Sequence, residues 1–476
     1  MKCDAFAAIV LALSITACAS SPDAPSPTGT IAPTWYTPLP HGGTAPGLAH
    51  WWDQFDDPVL SRLVAAAEDV SPTVASAGAR IADARSRRVA AGAALLPSLG
   101  ATASVSRGRQ DLSIPIGTSE SAGLQASWEI DVFGRARAAR DGAEARLSGA
   151  ESTWHDARVS VAAETAKQYV ELRACEARLA QARLDADSRA ETARLTELSM
   201  KSGFESRANA SLTLASAAQG LFVVKQQSQQ CEQDVKALVA LTGIAEPELR
   251  TVLASAVARL PEPAAIAVPS VPAAALAQRP DVDARARELV AASADVAEAR
   301  AERLPRITLA GNVAASRFES SFGSLDGHTW SIGPVAVTLP LFDAGARRAN
   351  VVAARARFDE AKSNYAATLR GAVRDVENAL LALQGTADRS ADAQTAADNF
   401  EVSFRATEAR YKSGFGTLFE LEDARRSALA AQNTLIDLRR ERVAAWIALY
   451  RALGGGWSER ADARTAASSQ PATASP

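Results

Sequence analysis

The residues of this chain with the most definite chemistry are its cysteines, of which the 476-residue sequence has four. Cys175 and Cys231 stand at equal distances on either side of Gly203. If the chain reverses at Gly203 between two antiparallel helices, both thiols lie at the same height. The spacing therefore favours a disulfide bridge, which forms in oxidising compartments and requires Cα atoms within about 6.8 Å. Two small buried thiols explain the same spacing, so both interpretations stay open.

Cys18 has a different context, because it follows a short apolar segment near the N-terminus. Lys2 supplies a weak positive start, and the apolar run that follows is too short to span a membrane. Ile15-Thr16-Ala17-Cys18 is similar to a bacterial lipobox. We predict that residues 1–17 are a lipoprotein signal peptide and that Cys18 becomes the acylated first residue of the mature protein. An ordinary secretory signal with an incidental cysteine is the alternative.

Other chemistry has little support in the sequence. The four histidines are scattered and lack metal-ligand spacing, and no nucleophile elbow, phosphate loop or dinucleotide fingerprint is found. We therefore expect no catalytic site, no metal and no cofactor. The net charge of −3 and the lack of a basic, aromatic-rich patch argue against nucleic acid as a partner.

A tandem duplication organises the elements that carry these residues. Lys201-Ser202-Gly203-Phe204 recurs letter for letter as Lys412-Ser413-Gly414-Phe415, and Leu96-Pro97 recurs as Leu304-Pro305. The offset between copies changes by only three residues, from 208 to 211, along the chain. A nearly constant offset over this length indicates that one structural unit occurs twice.

Each copy begins with two segments in which apolar and polar residues alternate. We predict strands at about 98–108, 122–132, 306–317 and 330–341, although Gly333-Pro334 interrupts the alternation of the last. Alternating segments of about ten residues are typical of transmembrane barrel strands. A half-buried sheet in a soluble protein shows the same pattern and is the alternative.

Long helices follow the strands in both copies. Gly134 to Met200 contains no proline and predicts a helix of about 100 Å. The sequence predicts helical hairpins over 134–243 and 346–453. In the first return helix a heptad spacing predicts a packing seam, made of Ala217, Leu221, Val224, Ser228, Cys231, Val235 and Leu238.

The predicted organisation has six parts. A signal peptide (1–17) and an extended leader (18–50) precede the first repeat (51–243), and a proline-rich linker (244–280) precedes the second repeat (281–457) and a disordered tail (458–476). Four strands leave two open edges, whose backbone groups cannot stay unpaired in hydrocarbon. We therefore expect several chains to close one barrel, with eight strands from two chains or twelve from three.

Several motifs together resemble one known family, the outer-membrane efflux (TolC-like) proteins, and within it the lipoprotein branch. They are Trp52-Asp53-Gln54-Phe55-Asp56-Asp57-Pro58-Val59-Leu60, Ser127-Trp128-Glu129-Ile130-Asp131-Val132-Phe133-Gly134-Arg135, Arg279-Pro280-Asp281 and Leu449-Tyr450-Arg451-Ala452-Leu453-Gly454-Gly455-Gly456-Trp457. The resemblance covers about residues 50–457. It implies an α+β membrane protein that forms a homotrimer, with a twelve-stranded outer-membrane barrel and a periplasmic tunnel of twelve helices. It also implies a periplasmic adaptor and an inner-membrane transporter of the resistance–nodulation–division type as partners.

The same resemblance implies that a gate lies at the hairpin tips. It places constricting residues at Phe419 and Asp423, where three carboxylates would converge on one axis and repel. Alternatively, Asp423 is a solvated acid paired with Arg426. The first tip has Ala208 and Leu212 at the equivalent positions.

Because it lacks that pair, we expect the first tip to contact the adaptor more than to constrict the tunnel. The residues expected to form the tips and their adaptor contacts are Gly203, Phe204, Glu205, Gly414 and Phe415. The function implied is that of an outer-membrane efflux channel for small molecules, anchored through acylated Cys18. A type I protein-secretion conduit and a soluble periplasmic coiled-coil scaffold are the alternatives.

Overall fold

The structure, a computed structural model, describes residues 51–109, 116–261 and 276–455. The predicted signal peptide, Cys18, the leader and the tail lie outside these residues. The described elements are α1 (Pro58–Val70), α2 (Pro72–Ala93), β1 (Ser98–Gly108), β2 (Gly117–Ile130), α3 (Arg135–Lys201), α4 (Arg207–Thr242), α5 (Glu246–Leu253), α6 (Pro280–Ala301), β3 (Arg306–Ser320), β4 (Gly323–Thr338), α7 (Ala346–Lys412) and α8 (Leu418–Ala452), with 3₁₀ turns at Trp52–Phe55 and Ala254–Ala256.

The chain divides into two compact units. The sheet unit contains Ala79–Ser152 and Asp283–Ala367, and the helical unit contains the described parts of Thr30–Gly78, Thr153–Val282 and Thr368–Pro476. No described helix is long and apolar enough to cross a membrane.

The four strands of the sheet unit form one antiparallel sheet in the order β1-β2-β3-β4. Because side chains alternate along each strand, the register assigns every residue to one of two faces. The polar face is rich in hydroxyls, and Ser104 Oγ lies 2.8 Å from Ser121 Oγ on it. The apolar face carries Leu99, Ala101, Ala103, Val105, Ala122, Leu124, Ala126, Trp128, Ile130, Ile307, Leu309, Val313, Ala315, Trp330, Ile332, Val335 and Val337.

A bulge explains the irregular alternation of the last strand. Leu309 pairs with Val335 and Gly311 pairs with Ile332, so Gly333 and Pro334 stand opposite a single residue. The extra residue shifts the phase of β4, and Ile332 and Val335 therefore lie on the same face. Two strands also begin earlier than predicted, at Gly117 and Gly323, and β4 ends at Thr338 rather than 341.

The predicted linker contains a short helix of its own. Pro247 lies in the first turn of α5. A backbone N–H at this position would have no acceptor within the helix, so its absence in proline breaks no hydrogen bond, and the fixed φ of proline suits the helix. The prolines of the linker are therefore compatible with the short helix Glu246–Leu253.

The core of the helical unit brings the sequence motifs together. Trp51 is fully buried, with its ring 5.4 Å from that of Tyr450. Asp57 caps α1 and also accepts a 2.6 Å hydrogen bond from the Tyr169 hydroxyl. Arg279, which is 7% exposed, donates to the carbonyl of Ala452 at 3.0 Å. The motifs at 52–60, 279–281 and 449–457 thus contribute described residues to a single core.

Candidate functional site

The two hairpins reverse in the same way. Gly203 and Gly414 each have a φ of +80°, a conformation that side chains with a Cβ disfavour. In each tip the glycine N–H bonds to a carbonyl three residues earlier, and the following phenylalanine N–H bonds five residues back. This is the pattern of a Schellman helix end. Phe204 and Phe415, which follow the glycines, are 88% and 81% exposed.

Each return helix starts from a side-chain cap, but the second cap is more complete. Ser206 Oγ accepts from the N–H of Asn209 at 3.1 Å. At the second tip Thr417 Oγ1 accepts from the N–H of Glu420, whose carboxylate accepts from the N–H of Thr417 in return. That backbone hydrogen bond holds the pKa of Glu420 below its ordinary value. The second helix therefore begins at a capping box, which ties its first turn to the tip.

The predicted gate residues lie just beyond this capping box. Phe419 is 79% exposed in the single chain. Asp423 is also exposed, and it forms an ion pair with Arg426 three residues later. The pairing that the sequence offers as the alternative role of Asp423 is thus present in the chain. At the first tip Leu212 is 56% exposed. Glu205 accepts hydrogen bonds from the N–H of Ser206 and the side chain of Asn209.

A buried polar cluster above the second tip was missed by the sequence reasoning. Arg425 is 2% exposed, and burial lowers the pKa of its guanidinium. It donates to Ser188 Oγ at 3.1 Å and to Thr192 Oγ1 at 3.0 Å on α3. It also forms an ion pair with Glu422. The sequence shows only two adjacent arginines at 425–426 and does not say which one is buried.

Arg189 extends this cluster to a third helix. Its guanidinium donates to Asp185 at 2.7 Å, to Ser216 of α4 at 2.7 Å and to Glu422 of α8 at 3.0 Å. Asp185 in turn lies 3.8 Å from Arg425. Four charged side chains therefore join the first hairpin to the start of α8 within a few turns of Phe419 and Asp423.

The predicted pair of cysteines lies farther up the first hairpin. The structure joins Cys175 of α3 to Cys231 of α4, with Cα atoms 5.6 Å apart, and both are buried. The predicted seam is wrong at Leu221, which is 53% exposed. Gly220 takes its place, since a Cβ there would lie 3.1 Å from the Cα of Ala186. The helices approach too closely at this level to place a leucine between them.

The described residues offer few groups for other kinds of chemistry, such as metal binding. In the part of the chain that the structure describes, no three His, Cys, Asp or Glu side chains are grouped as metal ligands. The tips instead present exposed phenylalanines and acids beside a buried charge cluster.

Comparisons with known proteins agree over most of the chain. A family profile described as "Outer membrane efflux protein" matches residues 63–243 and 271–455. The pyoverdine export outer membrane protein OpmQ of Pseudomonas putida is 34% identical over 469 residues, covering 94% of this chain and 96% of its own length. Outer membrane protein OprJ of Pseudomonas aeruginosa is 30% identical, with 95% and 96% covered.

Solved structures match as well. The outer-membrane channel OprN is 28% identical, with a TM-score of 0.80 over 92% of this chain and 100% of that chain. A membrane protein from Pseudomonas aeruginosa gives a TM-score of 0.82, with the same identity and coverage. These matches confirm the fold class predicted from the sequence.

Proposed function

The chain belongs to the outer membrane efflux protein family, and from that premise we propose that it is the passive outer-membrane channel of a tripartite efflux pump. The observation that best supports this function is the exposed apolar face of the sheet, together with the family match. On that face Trp330 is 75% exposed and Ile332 is 84% exposed. A sheet surrounded by water would leave this whole face solvated, which disfavours the alternative of a soluble scaffold.

We propose that three chains close the barrel. In the described sheet β1 and β4 each have a neighbour on one side only. In hydrocarbon those open edges must pair with another chain. Four strands from each of three chains give about twelve strands, enough for a barrel with a lumen. The hydroxyl-rich polar face would line that lumen.

The partners follow from the family. We propose a periplasmic adaptor, contacted by Phe204, Glu205 and Phe415, and an inner-membrane transporter of the resistance–nodulation–division type. Acylated Cys18 would anchor the chain in the outer membrane. The names of the relatives support small molecules as cargo, since OpmQ is named a pyoverdine export outer membrane protein and TtgI of Pseudomonas putida a toluene efflux pump outer membrane protein.

The proposed gate is a pair of rings made by Phe419 and Asp423 from three chains. Both side chains are exposed in one chain and lie one turn apart at the start of α8. Three carboxylates on one axis repel each other and attract cations, so millimolar divalent cations should block the current. The ion pair with Arg426 reduces this repulsion in each chain.

Single-channel recording of the purified protein in planar bilayers tests both levels of the proposal. Wild type should form channels that divalent cations block, and Asp423→Asn should remove the block. Asp398→Asn, which changes an exposed acid far from the tip on α7, should keep it. The absence of any channel activity would refute the function. Block that persists in Asp423→Asn would refute the gate assignment alone.

A further inference from the structure

A shallow groove crosses the apolar face of the sheet near its loop-connected end. Its floor is a row of small side chains, because Ala103, Ala122 and Ala315 stand side by side in the register. His328 continues the same row on β4. The depression has a volume of about 650 Å³. Three neighbouring alanines leave room on this face that large side chains fill elsewhere.

The rows of residues on the two sides of this alanine groove differ in chemistry. On the side toward the β1–β2 and β3–β4 connections, the next row on the same face contains Glu120, Arg317 and Asp326. On the opposite side the next row contains Leu124, Val313 and Trp330. A molecule in the groove therefore meets charged groups along one edge, and a molecule that extends beyond the groove on the other side reaches an apolar surface.

The charged row lies where a membrane boundary is expected. From Ile130, at the helix-connected end of β2, the apolar face continues to Ala122. The next residue on that face is Glu120, about 34 Å along the strand from Ile130, or about 26 Å across a membrane at a tilt of about 40°. Outer-membrane barrels have apolar bands of about 25 Å. The groove would thus lie at headgroup depth in the outer leaflet.

The charges of this row are available to a ligand. Among the described residues, the single ion pair of Arg317 is a loose contact of 3.9 Å with Glu319, and the Arg317 side chain is 55% exposed. Glu120 and Asp326 form no ion pair with other described residues. A simple anion gains little binding energy from this row, because the two carboxylates that flank the guanidinium repel it. A phosphorylated sugar suits it better, since phosphate binds the guanidinium while hydroxyl groups donate to the carboxylates.

We propose that the alanine groove binds a phosphorylated glycolipid of the outer leaflet. Arg317 binds a phosphate, Glu120 and Asp326 accept hydrogen bonds from sugar hydroxyls, and acyl chains lie against Leu124 and Trp330. The inference rests on the proposed function, because it requires the apolar face to be in contact with lipid. In a trimer the site would occur three times around the barrel.

Native mass spectrometry of the purified full-length protein in detergent tests this site. The probes are bis-phosphorylated lipid A, dephosphorylated lipid A and phosphatidylethanolamine. Wild type should bind phosphorylated lipid A roughly tenfold more tightly than the other two, as expected for a charge-assisted contact. Arg317→Gln should lose that roughly tenfold preference. Arg306→Gln, at the other end of the same strand, is the matched control and should bind as wild type does.

A second variant covers the case in which Arg317→Gln does not assemble. Ala122→Leu fills the groove floor, keeps the charged row and should weaken binding of both forms of lipid A. Equal binding of phosphatidylethanolamine by wild type, or unchanged binding of phosphorylated lipid A by either variant, would overturn the proposal. Channel recording of wild type in bilayers without lipid A tests the proposed function separately. If channels form there, the proposed function stands even when the lipid site is refuted.

Discussion

Removal of the Cys175–Cys231 bridge should loosen the first hairpin and leave the second unchanged. The two cysteines are 56 residues apart in sequence. In the chain-entropy treatment, closing a loop of this length stabilises the folded state by about 4 kcal/mol, and about 2–4 kcal/mol is typical of measured bridges. Both side chains are small and buried, so Cys175→Ala with Cys231→Ala removes the bridge and only a little packing.

Hydrogen exchange measured by mass spectrometry can locate this effect. A loss of about 2–4 kcal/mol should make amides of α3 and α4 near the bridge exchange roughly 30- to 1,000-fold faster, wherever exchange requires the hairpin to open. Reduction of the wild type should have the same effect. The second hairpin provides an internal control, because Thr386 and Arg442 stand at the equivalent distances from Gly414.

Two results would refute this reasoning. If both thiols of the unfolded, unreduced protein react with an alkylating reagent and its gel mobility is unchanged by reductant, the bridge does not form. If the bridge forms but its removal leaves the exchange rates of α3 and α4 unchanged, the hairpin is held by packing, and the entropy argument is wrong for this chain.

Three further predictions concern the second tip and the polar cluster above it. Arg425→Gln should destabilise the protein by about 1–3 kcal/mol, because it removes the hydrogen bonds of a buried guanidinium to Ser188 and Thr192, although Arg189 still pairs with the neighbouring acids. The exposed Arg426→Gln should change stability by less than about 0.5 kcal/mol, and thermal unfolding monitored by circular dichroism compares the two variants. Gly414→Ala should cost about 1–2 kcal/mol through its positive φ, while Gly385→Ala, inside α7 with open space around it, should be neutral or stabilising. The backbone N–H of Thr417 lowers the pKa of Glu420 below its ordinary value of 4.5. The stabilisation that the Glu420 carboxylate gives to the cap is therefore fully present above the ordinary pKa and is lost as the pH falls through the lowered pKa. Glu420→Gln should abolish this acid sensitivity of amide exchange at the tip.

Local patterns in the sequence were sufficient for much of the fold. Alternation predicted four strands, and the absence of proline predicted the long helices, because both depend on residues close together in the chain. The bulge at Gly333-Pro334 limited this reasoning. An extra residue shifts the phase of all positions that follow, and a strand read alone does not show what stands opposite it.

The candidate site was predicted less completely than the fold. The duplicated glycines located the tips, since a positive φ is a local requirement that the residue type reveals. The sequence did not distinguish buried Arg425 from exposed Arg426. Heptad spacing likewise placed Leu221 in the seam, whereas the close approach at Gly220 excludes it.

What the sequence by itself determined was the repeat, the type of each element and the positions where the chain reverses. These follow from periodicity and from the conformational limits of single residues. The tertiary structure decided which side chains are buried and what they contact, because that depends on distant partners. Arg425 donates to Ser188, 237 residues earlier in the chain, and the alanine groove exists only because the register places residues of three strands in one row.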